Sequence, residues 1–282
     1  MSISKSPDEI KKAVREHYAE AITSSGGCCG SKPTKLTEGT AGKYASLAGY
    51  SGSELSGLPE GVTTFGCGNP VAFSNVQPGQ TVLDLGSGAG LDLILAAHKV
   101  GPTGKVIGLD MTPEMIDTAR RNLTEAGVKN FELLHGEMEK MPVPTGSVDW
   151  IISNCVINLS PDKPKVFAEA IRVLKPGGQL MVSDIVTNGL PEEYLDDISS
   201  WVGCIAGAME EEDYLAAMRK AGFEDVRIIE KQVYTPEALD TLANDACGCG
   251  ASERTIDKSL VQKLGNRVAS VKVSAKKPVA DK

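Results

Sequence analysis

Several things are scarce in this chain, and each scarcity removes a class of function. No run approaches the roughly 18 apolar residues of a membrane span, and no apolar stretch follows Met1-Ser2-Ile3-Ser4-Lys5 as a secretory leader requires. A cytoplasmic setting away from membranes is the expectation. Lys and Arg total 29 against 37 Asp and Glu, a net charge of -8, and they form no block beyond the short tail at Lys276-Lys277. That balance points away from a nucleic-acid partner, whose phosphates need a basic face. The three histidines, His17, His98 and His135, lack a metal-ligand spacing. With 41% hydrophobic residues over 282 positions, the chain buries a large core as one elaborated domain or one domain with an appendage.

What is present begins with Thr81-Val82-Leu83-Asp84-Leu85-Gly86-Ser87-Gly88-Ala89-Gly90. A buried strand there breaks into a glycine turn that opens a helix, so unpaired N–H groups and a positive dipole end point at a ligand. A dinucleotide loop would read G-x-G-x-x-G. This one is G-x-G-x-G with Asp84 two residues ahead. A carboxylate at that place repels a pyrophosphate and favours the ammonium and sulfonium of S-adenosylmethionine. The stretch resembles motif I of class I S-adenosylmethionine-dependent methyltransferases.

Further elements follow at regular intervals. Lys105-Val106-Ile107-Gly108-Leu109-Asp110 reads as a second strand ending in a carboxylate placed for ribose hydroxyls, with Met111 next to lie on the adenine. Thr112-Pro113-Glu114 starts a helix with Thr112 as N-cap, and Met115, Ile116, Ala119 and Leu123 form its apolar stripe. A third strand, Phe131 to Leu134, leads to His135-Gly136-Glu137-Met138. By the resemblance, Glu137 meets the adenine amino group, with Met138 beside it. A fourth strand, Val148 to Asn154, delivers Asn154 and Cys155 to the carboxyl edge, and a fifth runs from Gln179 to Val186. The expected fold is α/β, a doubly wound, mostly parallel seven-stranded sheet of the class I methyltransferase (Rossmann-like) type. Residues 1–70 would form an N-terminal capping helix and cysteine-bearing loops, 71–190 the cofactor-binding core, 191–232 a lid and sheet completion, and 233–282 a Cys-x-Cys insertion and last strand. Within the first segment, Ser6-Pro7-Asp8-Glu9 is a capping box, and Ile10, Val14, Tyr18 and Ala21 or Ile22 repeat at helical spacing. That helix is expected to lie across the cofactor mouth; Tyr18 or Phe65 could touch the ligand there, but aromatics at such spacing read first as packing residues.

Fold alone cannot name the methyl acceptor. Seven cysteines narrow it: Cys28, Cys29, Cys67, Cys155, Cys204, Cys247 and Cys249. In a reducing compartment they read as free thiols or metal ligands. Cys67 and Cys204 are flanked by glycine, an odd setting for a packing residue. Gly66-Cys67-Gly68-Asn69-Pro70, Ser153-Asn154-Cys155-Val156-Ile157-Asn158-Leu159 and Gly203-Cys204-Ile205-Ala206-Gly207-Ala208 together closely resemble arsenite S-adenosylmethionine methyltransferases. The resemblance spans roughly residues 40 to 225.

It implies As(III) held by thiolates of Cys67, Cys155 and Cys204, with Cys28 or Cys29 as a fourth, redox-active cysteine able to pair with Cys67. Soft, thiophilic As(III) selects thiolates over carboxylates or imidazoles. The implied cofactor is S-adenosylmethionine, held by Asp84, Gly86, Ser87, Gly88, Asp110, Met111, Glu137, Met138 and Asn154 and released as S-adenosylhomocysteine. An external thiol reductant, thioredoxin- or glutathione-like, would reset the cysteines. Arsenite or its thiol conjugates would be the substrate, and Cys247 and Cys249 are open to a capture role or none. Two rivals differ in what the cysteines do. A methyltransferase of a small organic acceptor, of quinone or sterol type, makes them dispensable, and a thiolate metal-binding or sensing module makes them a structural zinc site.

Overall fold

Alternate residues of the parallel strands sink into opposite cores, and that pattern fixes the architecture. Leu83, Leu85, Leu109, Ile151 and Val182 lie in one apolar cluster, while Val82, Val106, Trp150, Ile152 and Met181 lie in another. A sheet buried on both faces needs helices on both. The computed structural model describes residues 6–23, 36, 42, 45–46, 48–59, 62–64, 66–190, 207–239 and 258–279.

The described helices are α1 (Pro7–Thr23), α2 (Gly52–Leu55), α3 (Pro70–Phe73), α4 (Leu91–Val100), α5 (Pro113–Glu125), α6 (Lys163–Val173), α7 (Glu211–Lys220) and α8 (Lys258–Leu264). The strands are β1 (Thr81–Leu85), β2 (Lys105–Asp110), β3 (Phe131–His135), β4 (Val148–Asn154), β5 (Leu174–Thr187), β6 (Met209–Glu210), β7 (Glu224–Val233) and β8 (Val268–Lys276). Their order is β3-β2-β1-β4-β5-β8-β7, with the two-residue β6 paired to the end of β5. The first five strands are parallel, and β8 runs antiparallel to both β5 and β7. The expected seven strands make up this path, and β6 is an addition too short for any periodicity to reveal.

Helices α4 and α5 pack on one face through Leu93, Ile94, Ala96 and Leu123, and α6 and α7 on the other through Val166, Phe167, Tyr214 and Met218. Each such Leu, Ile or Phe contributes about 1.5–3 kcal/mol by leaving water. The chain moves outward from β1 to β2 and β3, then returns to β4 on the opposite side of β1. The crevice at that reversal, beyond the carboxyl ends of the strands, is where ligands of such sheets bind.

Two local expectations change. β5 begins at Leu174, five residues before Gln179, because the Lys175–Gly178 segment joins the sheet through an irregularity opposite Val148 and Trp150. Thr112 makes no side-chain cap on α5. Its N–H donates to Asp110 Oδ1 at 2.9 Å, and its hydroxyl also serves that carboxylate. The capping box at α1 is present: Glu9 accepts from the Ser6 N–H at 2.7 Å, and Ser6 Oγ accepts from the Glu9 N–H at 3.3 Å. No described helix is long and apolar enough to cross a membrane.

Candidate active site

The glycine turn carries the first wall of the site. Gly86 has φ +65°, and a Cβ there would run into the side chain of Val156. Only glycine lets the turn lie this close to the segment after β4. Asp110, at the end of β2, accepts from the Gly88 N–H at 2.9 Å through Oδ2, so the carboxylate read as a ribose ligand also ties the two loops together.

A cavity of about 980 Å³, counting its open mouth, occupies the crevice. Asp84, Gly86, Ser87, Gly88, Asp110, Met111, Glu137, Met138, Asn154 and Cys155 all line it. Lys11, Val14 and Tyr18 close it from α1, whose apolar stripe is only half-buried, as suits a helix laid across an opening. Phe65 lies outside the described residues.

The charge of the wall decides what fits. Five carboxylates face the cavity, from Asp84, Asp92, Asp110, Glu137 and Glu139, and Lys11 is the one basic side chain among the described lining residues. Lys11 is already paired, with Glu137 at 2.7 Å and Glu139 at 3.3 Å. Glu137 is therefore held at the mouth by an ion pair that its sequence neighbours do not announce.

Asp84 is 2% exposed. Burial first, then the charges of Asp92 and Asp110, push its carboxyl well above the usual range, with no donor among the described residues to offset them. Burial likewise raises Asp92, to about 6, against hydrogen bonds from Asn154 and Tyr50 that lower it. Burial also raises Asp110, against the backbone bonds from Thr112 and Gly88. Such a wall repels anions and stabilises a cation carrying hydrogen-bond donors. An ammonium and a sulfonium fit it.

Asp92 and Tyr50 are the residues the sequence reading missed. The Tyr50 hydroxyl donates to Asp92 Oδ1 at 2.8 Å, and Asn154 Nδ2 donates to Asp92 Oδ2 at 3.0 Å. Asp92 had a signal, since it is a lone acid inside the apolar run Leu91 to Ala97. Tyr50 had none.

The cysteines give a mixed outcome. Cys67 and Cys155, 88 residues apart, come together with Cα atoms 5.9 Å apart and are joined as a disulfide. The structure thus pairs Cys67 with Cys155, where the resemblance implies a pairing of Cys67 with Cys28 or Cys29, which lie outside the described residues. The physical reason is convergence: two sulfurs at that Cα separation bond without moving the backbone. Cys155 is 3% exposed and has φ +59°, a left-handed conformation that a side chain rarely adopts. It turns the chain sharply off β4 at the cavity wall, the kind of strain that collects at functional sites. Cys28, Cys29, Cys204, Cys247 and Cys249 lie outside the described residues, as does the helix expected from Pro191.

A sheet with this strand order, a glycine turn at its reversal point and a wall that prefers a cation defines the class: this is a class I S-adenosylmethionine-dependent methyltransferase. Residues 77–222 match the family described as a methyltransferase domain. The chain is 39% identical over 290 residues to the arsenite methyltransferase of Halobacterium salinarum, covering 100% of this chain and 70% of that protein. It is 32% identical over 251 residues to the arsenite methyltransferase of Mus musculus, covering 84% of this chain and 64% of that one. Among solved structures, an arsenic(III) S-adenosylmethionine methyltransferase from Chlamydomonas reinhardtii superposes with a TM-score of 0.63 at 30% identity, covering 89% of this chain and 75% of that one. The chain belongs to the arsenite methyltransferase family.

Proposed function

We propose that this chain methylates trivalent arsenic held by the thiolates of Cys67, Cys155 and Cys204. One observation carries the reading. Two cysteines from remote segments meet with their Cα atoms 5.9 Å apart, and one of them, Cys155, lines the acid-walled cavity. S-adenosylmethionine, when bound, supplies an electrophilic methyl group on a sulfonium and leaves as S-adenosylhomocysteine.

The chain's own contribution is positional. Asp84 and Asp110, with the turn Gly86-Ser87-Gly88, Met111, Glu137 and Met138, would hold and orient the cationic ligand, while α1 excludes water. The cysteines hold arsenic with its lone pair free toward the cavity. That lone pair is the nucleophile, so no general base is required, and alignment supplies most of the acceleration.

Methylation raises arsenic formally from As(III) to As(V). Its return takes two electrons, which two thiolates supply when they close into a disulfide. A pair such as Cys67 and Cys155 therefore suits both tasks, and Cys28 or Cys29 is assigned to relay the oxidation outward. Reopening the disulfide consumes two electrons and two protons from an external thioredoxin- or glutathione-like thiol, in line with a reducing, cytoplasmic setting.

The test supplies arsenite, a thiol reductant and methyl-labelled cofactor to the protein. Labelled methylarsenicals are the expected product, with no more than one turnover per protein when the reductant is omitted. Label on a quinone or sterol-type acceptor and none on arsenic would replace this reading with the organic-acceptor one. A four-thiolate zinc in the purified protein would replace it with the sensing module.

A further inference from the structure

Asn154 ends β4 one residue before Cys155, and its amide is turned toward protein. Oδ1 accepts from the Gly68 N–H at 3.1 Å, and Nδ2 donates to the Gly68 carbonyl at 2.6 Å. Gly68 directly follows Cys67. The side chain thus pairs with the backbone of residue 68 as a neighbouring strand would. Nδ2 also lies 2.9 Å from Tyr50 Oη and 3.0 Å from Asp92 Oδ2. Two N–H bonds face three acceptors, so none is left over for a ligand.

The fit around this amide is close. A Cβ on Gly66 would overlap it, so the segment before Cys67 lies directly against Asn154. The Cys67 N–H points at Cys155 Sγ, 3.2 Å away, and Ser270 Oγ donates to the Cys67 carbonyl at 3.1 Å. Cys67 is held at its own peptide and, through Gly68, by the residue adjoining its partner cysteine.

We propose that Asn154 is the positioning residue of the thiol pair: backed by Asp92 and Tyr50, it holds segment 66–68 against β4 and so sets the distance between the sulfurs of Cys67 and Cys155. With their Cα atoms 5.9 Å apart, the two sulfurs close into an S–S bond or, reduced and turned apart, share a single soft atom. Assigning arsenic as the soft atom rests on the function proposed above; the spacing role does not.

Asn154→Ala and Tyr50→Phe in the full chain separate the alternatives. The first quantity is the ratio of disulfide to dithiol for Cys67 and Cys155 in glutathione buffers, where glutathione disulfide takes two electrons and two protons from the pair and becomes two glutathiones. The other quantities are arsenite affinity, cofactor affinity and the near-ultraviolet circular dichroism of the fold. Asn154→Ala is expected to lower the effective concentration of one thiol at the other about tenfold or more and arsenite affinity in parallel, with cofactor affinity changed less than about threefold. Tyr50→Phe, which removes one oxygen and leaves the packing, is expected to fall between parent and Asn154→Ala, and it carries the test if the alanine variant does not fold. Unchanged thiol pairing in both variants, or a large loss of cofactor affinity with pairing intact, overturns the proposal. A parent protein that pairs its thiols as expected yet binds no arsenite would sink the arsenic reading and leave the positioning role standing.

Discussion

Cys155→Ser protein, folded and supplied with cofactor and reductant, is expected to methylate arsenite about 10³-fold more slowly than the parent or worse, a loss near 4 kcal/mol of transition-state stabilisation. A hydroxyl is close to a thiol in size, so the fold at this buried, left-handed position should survive. What disappears is a soft, ionisable ligand: serine offers arsenic a hard oxygen that stays protonated near neutral pH. Cys67→Ser should behave the same way, and the double variant should be little worse than either single, because a ligand set acts as a unit. Cofactor affinity serves as the internal control and should move less than about threefold. Normal turnover in both single variants would remove the thiolate assignment.

Asp84→Asn is expected to cut affinity for the cationic cofactor about 10²-fold while making the unliganded protein more stable by about 1–2 kcal/mol. Asp84 is buried beside Asp92 and Asp110 with its carboxyl pushed well up, so the folded, unliganded protein takes up a proton there at a higher pH than the unfolded chain does. A group raised in this way contributes stability that is complete below its unfolded value, near 4, and is lost as pH rises through the folded value. Asp92, raised to about 6, and Asp184, raised to about 7 by its own burial, have the same sign. Thermal unfolding of the unliganded parent should therefore move to lower temperature as pH climbs from about 5 to 8. The Asp84→Asn protein should show a shallower decline, and a bound cation should flatten that of the parent. Equal slopes in parent and variant, with equal cofactor affinity, would mean that Asp84 is not the group facing the cation.

How much of this was legible in the sequence depends on how local each signal is. The β1 turn and Asp110 could be read directly, because a strand, its glycine turn and the next strand's carboxylate are spaced by the geometry of one βαβ unit. The α1 capping box and stripe were equally plain. Thr112 shows where local reading stops. Thr-Pro-Glu satisfies the rules for a cap, yet Asp110, two residues earlier, claims its N–H and hydroxyl. Glu137 meets Lys11 across 126 residues, and Tyr50 meets Asp92 across 42; no spacing rule reaches that far. The cysteine motifs marked Cys67 and Cys155 as neighbours, but not that they would be joined to each other. That depends on Asn154 drawing Gly68 onto β4, a contact visible only once the sheet has formed.

The central claim, that sulfur atoms of this chain gather on arsenic at the edge of the cofactor cavity, is tested most directly by X-ray absorption at the arsenic edge on reduced protein loaded with arsenite. Three sulfur neighbours in the parent, and fewer in both Cys67→Ser and Cys155→Ser, are the predicted result. Oxygen neighbours in the parent, or a sulfur count that neither substitution changes, would contradict it.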